Sequence, residues 1–172
     1  PGGKGDQRGG AGIQQAQLAR KQLAHLDGRL WGDSSIVDEL LISNRRNSAD
    51  AIRELYTMVS PGFLARYGQR LTNDEKEMVQ LVGDNLEAYT SSYPGEQTLI
   101  HIDYRLDNMM FGGPYPLAVV DWQSPAFDCA LGDVSYFMGT SIIEDERGKL
   151  EEELVRQYFN TLSAYNVSMN WD

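Results

Sequence analysis

One cysteine and two histidines are all that 172 residues contain of those types. The lone Cys129 excludes an internal disulfide and fits a reducing cytoplasm. No base stands beside it in sequence, so nothing marks it as a nucleophile. Basic residues are scarce: 15 Lys and Arg against 25 Asp and Glu give a net charge of −10. That balance argues against nucleic acid or an anionic membrane surface as a partner, since both need basic patches. No apolar run approaches the ~18 residues of a membrane span. No secretory leader is visible, and there is no internal repeat or low-complexity tract beyond the first dozen residues.

An apolar content of 41% is ordinary for a chain of this length with a real core. Ala16, Ala19, Leu23, Leu26 and Leu30 recur at three- and four-residue spacing and predict a helix from about Ile13 to Trp31. Asn47 or Ser48 caps a second helix, with Ala49, Ile52, Leu55, Tyr56 and Val59 facing inward until Pro61 stops it. Thr72 and Glu75 form a capping-box signature for a third. Its stripe is Met78, Leu81, Val82, Leu86 and Tyr89, ending before Pro94-Gly95. Leu131 to Ile142 is apolar nearly all round and predicts a buried helix. Leu150, Leu154, Val155, Tyr158, Phe159 and Leu162 mark a last one, from about Asp145 to Tyr165. These stripes form core and carry no chemistry. Together with two short β-type runs they define an α+β chain, mainly helical, with a short β-hairpin.

Chemistry is concentrated around that hairpin. A β-type run from Thr98 to Ile102 leads into His101-Ile102-Asp103-Tyr104-Arg105-Leu106-Asp107-Asn108, and Met109-Met110-Phe111 follows. Gly112-Gly113-Pro114-Tyr115-Pro116 supplies a turn, and Leu117 to Val120 ends in Asp121. Four residues between Asp103 and Asn108 let the loop turn back so that both side chains face one cleft. Phosphoryl transfer from a Mg-nucleotide needs a carboxylate to orient and deprotonate the attacking hydroxyl. It also needs an amide and a second carboxylate to hold the metal. Asp103 fits the first role. Asn108 and Asp121, as oxygen ligands, suit Mg²⁺ in the second. The order His, Asp, Asn, Asp is that of kinase catalytic machinery.

Leu99 to Asn108, the hairpin to Asp121-Trp122-Gln123, and Leu131-Gly132-Asp133-Val134-Ser135-Tyr136-Phe137 resemble the carboxyl-terminal lobe of the aminoglycoside phosphotransferase and choline kinase-like family. Gly5-Asp6-Gln7 and Leu23-Ala24-His25-Leu26-Asp27-Gly28-Arg29-Leu30-Trp31 extend the likeness over nearly the whole chain. The resemblance implies a protein-kinase-like fold with Asp103 as catalytic base and Asn108 and Asp121 as magnesium ligands. It makes His101 a structural prop of the catalytic loop. Asp133, at the start of a helix, would brace that loop by accepting backbone hydrogen bonds. Two departures stand out. The family usually has Gly between the His and the Asp, where this chain has Ile102. A β-branched residue does not take positive φ cheaply, so the loop either avoids that conformation or is strained. The family also often has a His where this chain has Asp27.

Kinase chemistry further needs a Gly-rich strand-turn-strand over the phosphates and a Lys on a following strand. Neither is present. The opening Pro1-Gly2-Gly3-Lys4-Gly5-Asp6-Gln7-Arg8-Gly9-Gly10 does not match G-x-x-x-x-G-K-[ST] and follows no strand. Residues 1–12 therefore read as a linker between lobes, and 13–172 as the kinase-like lobe. Pro1 in place of Met and an uncapped Trp171-Asp172 predict a piece of a longer protein. Such a piece would not by itself turn over ATP, because nothing clamps the β- and γ-phosphates.

The function that follows is transfer of a phosphoryl group from ATP or GTP, with Mg²⁺, to a hydroxyl of a small molecule. The acidic charge is compatible with a cationic acceptor and equally with plain solubility. A non-catalytic kinase-like scaffold is the alternative; the intact Asp103, Asn108 and Asp121 set argues against it. A metal-dependent phosphoesterase lacks a second His or Asp cluster for a two-metal site. Arg105 is available to a phosphate or to Asp103, Asp107 to the metal, and Asp128 to substrate. The acidic run Glu144, Asp145, Glu146, Glu151, Glu152 and Glu153 suits the positive end of a helix dipole. His25 reads as a packed or surface residue.

Overall fold

Three- and four-residue apolar spacing builds seven α-helices among the described residues of the computed structural model, which are 3–40, 42–44, 49–91 and 95–167. In chain order the elements are β1 (Gly3–Lys4), α1 (Ile13–Arg29), α2 (Ser35–Leu40), β2 (Ser43–Asn44), α3 (Ala49–Tyr67), α4 (Asn73–Asp84), α5 (Leu86–Ser91), β3 (Gln97–Ile100), β4 (Met109–Phe111), β5 (Leu117–Val119), β6 (Ala126–Cys129), α6 (Leu131–Ser141) and α7 (Glu144–Leu162). They fall into two units, Pro1–Ile42 with Gly95–Asp172, and Ser43–Pro94.

The first unit is organised by α1 and α7. The small residues Ala16, Ala19 and Ala24 are buried, as is Leu23, and they share one core with Leu154, Tyr158 and Leu162 of α7. Each large apolar side chain buried there stabilises the fold by roughly 1.5–3 kcal/mol. Gly28 serves the same approach: a Cβ there would lie 2.4 Å from the Tyr165 ring. Arg20 closes the seam, its Nη1 donating to Gln157 O and to Thr161 Oγ1, both at 2.9 Å.

Two small antiparallel sheets complete the unit. β4 pairs with β5 (Met109 opposite Val119) and β1 adds to the other edge of β4 (Lys4 opposite Met110). β3 pairs instead with β6, Leu99 facing Phe127. The two β-type runs that flank the catalytic segment therefore belong to different sheets. The first ends at Ile100 rather than Ile102, and its partner β6 has no sequence alternation to announce it. Residues 3–12, expected as an inter-lobe linker, lie along the β4 edge and at the start of α1.

Asp27 is the unexpected member of the core. It is fully buried, and the Tyr158 hydroxyl donates to its Oδ2 at 2.6 Å, while Oδ1 has no partner. Burial pushes its carboxyl well above the usual range; the Tyr158 hydrogen bond opposes this and the charge of Asp133 adds to it. A carboxyl whose folded-state value is raised is stabilising when protonated. Stability is therefore lost as pH rises from the unfolded carboxylate range toward the folded value. Asp27→Asn keeps an acceptor for Tyr158 without the charge. Its Tm relative to wild type is expected to improve by a few degrees between pH 4 and pH 8; a constant or falling difference in thermal melts would contradict this.

The second unit is helical. Thr72 caps α4, accepting from Glu75 N at 3.2 Å while the Glu75 carboxylate accepts from Thr72 N at 2.7 Å, the capping box that the sequence predicts. The Tyr56 hydroxyl ties α3 to α4 by donating to Val79 O at 2.6 Å. Three expectations fail here. Pro61 does not stop α3, which runs on to Tyr67. A proline removes one N–H and crowds one carbonyl, a cost of about 3 kcal/mol, and the turns on either side still form. Leu55, Val59, Met78, Leu81, Val82 and Tyr89 are exposed rather than inward-facing. The third helix breaks at Asn85, whose Nδ2 donates to Leu81 O, leaving α5 as a separate turn. The expected caps Asn47 and Ser48 and the stop at Pro94 lie outside the described residues. In the first unit α6 is likewise not buried all round, for Ser135, Tyr136 and Gly139 face solvent.

Candidate active site

Buried polar side chains locate the site. Among the described residues six are buried: Asp27, Thr98, His101, Asn108, Asp133 and Ser141. Four of them serve the loop 101–108. Asp133, in the first turn of α6, accepts the His101 amide on Oδ2 at 2.5 Å and the Ile102 amide on Oδ1 at 2.9 Å. At the other end of α6, Ser141 Oγ accepts the Leu106 amide at 3.1 Å. One helix thus grips both ends of the loop. His101 Nε2 lies 2.9 Å from Val120 O. A carbonyl only accepts, so Nε2 carries the proton and the tautomer is fixed. The ring sits edge-on to Trp122, centroids 4.5 Å apart.

Ile102 adopts φ +72°. The loop therefore takes the strained course: left-handed backbone costs an L-residue roughly 1–2 kcal/mol and a β-branched one no less. The paired amide bonds to Asp133 hold it there. Glycine at this position relieves the strain but loses about 0.5–1 kcal/mol to unfolded-chain entropy, besides the contacts of a half-buried side chain. Ile102→Gly is accordingly expected to melt within a few degrees of wild type, where Ile→Gly in an ordinary half-buried position lowers Tm sharply. A large loss would show that the Ile102 side chain, not the backbone, sets the balance.

Asp103, the residue expected as base, is held from both sides. Asn108 Nδ2 donates to Asp103 O and to Asp103 Oδ2, each at 2.9 Å. The Tyr136 hydroxyl donates to Asp103 Oδ1 at 3.1 Å. Arg105 Nε stands 3.0 Å from the same oxygen as an ion pair, but its N–H is not aligned into a hydrogen bond. With about a third of both side chains exposed, that pair contributes little to stability. Burial, and the hydrogen bond and charge of Asp103, push the Tyr136 phenol up, while Arg105 opposes.

The backbone of Val120 brings Asp121 to the same place. Its N–H donates to Asn108 O at 2.9 Å and its carbonyl accepts His101. The next residue, Asp121, turns at φ +68° and is exposed. Asn108, its Nδ2 spent on Asp103, keeps its side-chain oxygen for another partner. Among the described residues no group of three or more His, Cys, Asp or Glu gathers into a metal cage. Asn108 and Asp121 instead offer two hard oxygen donors, which suits a cation that brings phosphate and water as its other ligands, as Mg²⁺ does.

The opening segment braces this loop. Gly5 N donates to Met109 O at 2.8 Å, and a Cβ on Gly5 would lie 2.2 Å from Leu106 O, so only glycine fits. Gln7 N donates to Asp107 Oδ1 at 3.0 Å, and Arg105 Nη1 donates to Gln7 Oε1 at 3.3 Å. Asp107, weighed as a metal ligand, is thus engaged by backbone. Asp128 lies on β6, its Oδ1 accepting the Cys129 amide. His25 Nδ1 shares a hydrogen bond with the Tyr165 hydroxyl at 2.6 Å, and the two rings pack edge-on. Sequence reasoning missed Tyr136, Ser141 and Gln7. Tyr136 carried a signal, since it stands three residues after Asp133 and so on the same helix face.

A mainly helical α+β unit whose catalytic-type loop is gripped by one helix, with a hairpin ending in Asp, defines the carboxyl-terminal lobe of a kinase-like protein. Residues 34–171 match the ecdysteroid kinase-like family, and the chain belongs to it. That family comprises kinase-like small-molecule kinases related to, but distinct from, the aminoglycoside phosphotransferases and choline kinases that the sequence resembles. No curated protein matches the chain.

Proposed function

We propose that these residues carry the acceptor-activating half of an ATP-dependent phosphotransferase whose acceptor is a hydroxyl of a small molecule. The observation that supports it most is the clasp of Asn108 Nδ2 on Asp103, with Asp121 following Val120, whose N–H donates to Asn108 O. Asp103 takes the acceptor proton as the oxygen attacks the γ-phosphorus and the bond from that phosphorus to ADP breaks, releasing ADP. Asn108 and Asp121 would hold Mg²⁺, which when bound would neutralise charge on the phosphate oxygens. Asp133 and His101 act through the loop, fixing where Asp103 points. Met110, Ala118 and Val120 share one exposed face of the β4–β5 hairpin, an apolar surface suited to a nucleobase of ATP or GTP.

The family name points to ecdysteroid-type alcohols as acceptors; an aminoglycoside or choline-like cation is the narrower reading of the resemblance and of the acidic charge. Nucleic acid and anionic membrane stay outside the proposal on charge. Among the described residues no helix is long and apolar enough to cross a membrane, and a single cysteine, the buried Cys129, suits the reducing cytoplasm. The test is ADP release by the full-length protein with Mg-ATP and, separately, a polyhydroxylated sterol, an aminoglycoside and choline. Acceptor-dependent ADP release with a phosphorylated alcohol is expected. Nucleotide binding without transfer to any alcohol would favour the scaffold alternative.

A further inference from the structure

We infer that Tyr136 is a positioning residue that aims the Asp103 carboxylate at the acceptor hydroxyl. The inference rests on Asp103 being the proton acceptor and adds a residue that the proposed chemistry does not itself require. A carboxylate on a short side chain turns readily about its last bond, since that torsion has broad, shallow wells. One donor on one oxygen leaves that rotation partly free. Two aligned donors, one on each oxygen and from opposite sides, fix the plane. Asn108 Nδ2 supplies the first on Oδ2 and the Tyr136 hydroxyl the second on Oδ1. Arg105 adds charge near Oδ1 but no aligned N–H, so Tyr136 is the directional partner there.

The placement of Tyr136 sets it apart from an incidental surface contact. It lies one turn beyond Asp133 on α6, and residues three apart on a helix share a face. Asp133 fixes the backbone on the amino side of Asp103 through two amides, and Tyr136 fixes its side chain. A single rigid element therefore sets both the position and the rotation of the carboxylate. Tyr136 is 38% exposed, so removing its hydroxyl empties no core. Tyr136 on Oδ1 and Asn108 on Oδ2 each leave a lone pair of Asp103 for the acceptor hydroxyl.

The experiment is Tyr136→Phe in the full-length protein, alone and combined with Asp103→Asn. Tyr136→Phe alone is expected to lower kcat roughly ten- to a hundredfold, the scale of losing one hydrogen bond to a charged group and the alignment it keeps. Tm and the calorimetric affinity for Mg-nucleotide are expected to stay at wild-type values. In the Asp103→Asn background the same change is expected to leave kcat unaltered, because no carboxylate remains to aim. Wild-type kcat for Tyr136→Phe, an equal loss in both backgrounds, or a loss accompanied by a lowered Tm each overturns the inference. Failure of the underlying reading looks different: Asp103→Asn would itself keep wild-type kcat.

Discussion

Asp103→Asn in the full-length protein is expected to lower kcat by roughly 10²–10⁴-fold, the range for removing a positioned proton acceptor. Asparagine matches aspartate in shape and still offers an oxygen to Asn108 or Tyr136, so folding should be spared. Mg-nucleotide affinity should also be nearly intact, because the lost group acts on the acceptor hydroxyl rather than on the phosphates. Asp121→Asn is the companion. Its side chain is exposed and is assigned to the cation rather than to the acceptor proton, so its loss should fall on metal-dependent nucleotide binding first. Measuring kcat and nucleotide Kd for both variants separates the roles. Equal binding defects in the two would mean that Asp103 and Asp121 do not divide the work as assigned.

Asp133→Ala is expected to reduce stability and activity together. The His101 and Ile102 amides that Asp133 accepts are held in a buried turn. Removing the acceptor leaves both without partners, at about 1–3 kcal/mol each. It also releases Ile102, at φ +72°, toward an ordinary backbone conformation that carries Asp103 away from Asn108. For a chain of this size, such a loss corresponds to a Tm lower by on the order of 10 °C. Asp103→Ala, by contrast, should abolish activity with little change in Tm, since Asp103 is partly exposed. An Asp133→Ala protein as stable as wild type yet inactive would place Asp133 among the residues that touch substrate.

Ile102 and Asp133 explain each other. A glycine at position 102 would be free to turn, and the helix carboxylate would have only to hold it. Here a β-branched residue must be kept in the same turn against its own preference, so the two amide bonds to Asp133 counter strain as well as satisfying donors. Ile102→Gly and Asp133→Ala are therefore coupled. The stability loss of Asp133→Ala should be larger in the Ile102→Gly background, because no strain is then released to offset the lost hydrogen bonds.

The helices were legible in the sequence wherever spacing alone decides them. The stripe from Ala16 to Leu30, the Thr72–Glu75 box and the run from Leu150 to Leu162 all correspond to observed helices, because hydrogen bonding and capping within a helix are local. The loop from His101 to Asn108 was legible too, since the spacing of its polar residues is itself local. Strand pairing was not. β3 finds its partner in β6, across a long separation, because a short buried strand is defined by its neighbour rather than by its own pattern. Exposure of the α3 and α4 stripes was hidden for the same reason: periodicity says which residues share a face, and only the tertiary structure says whether anything covers it. The positive φ of Ile102 runs against local preference and exists because Asp133, thirty-one residues away, accepts its amide. Sequence by itself determined the helices and the chemical types at the site. The aim of those groups, through Asp133, Tyr136 and the Val120 backbone, was decided by contacts between segments distant in the chain, which no local energy encodes.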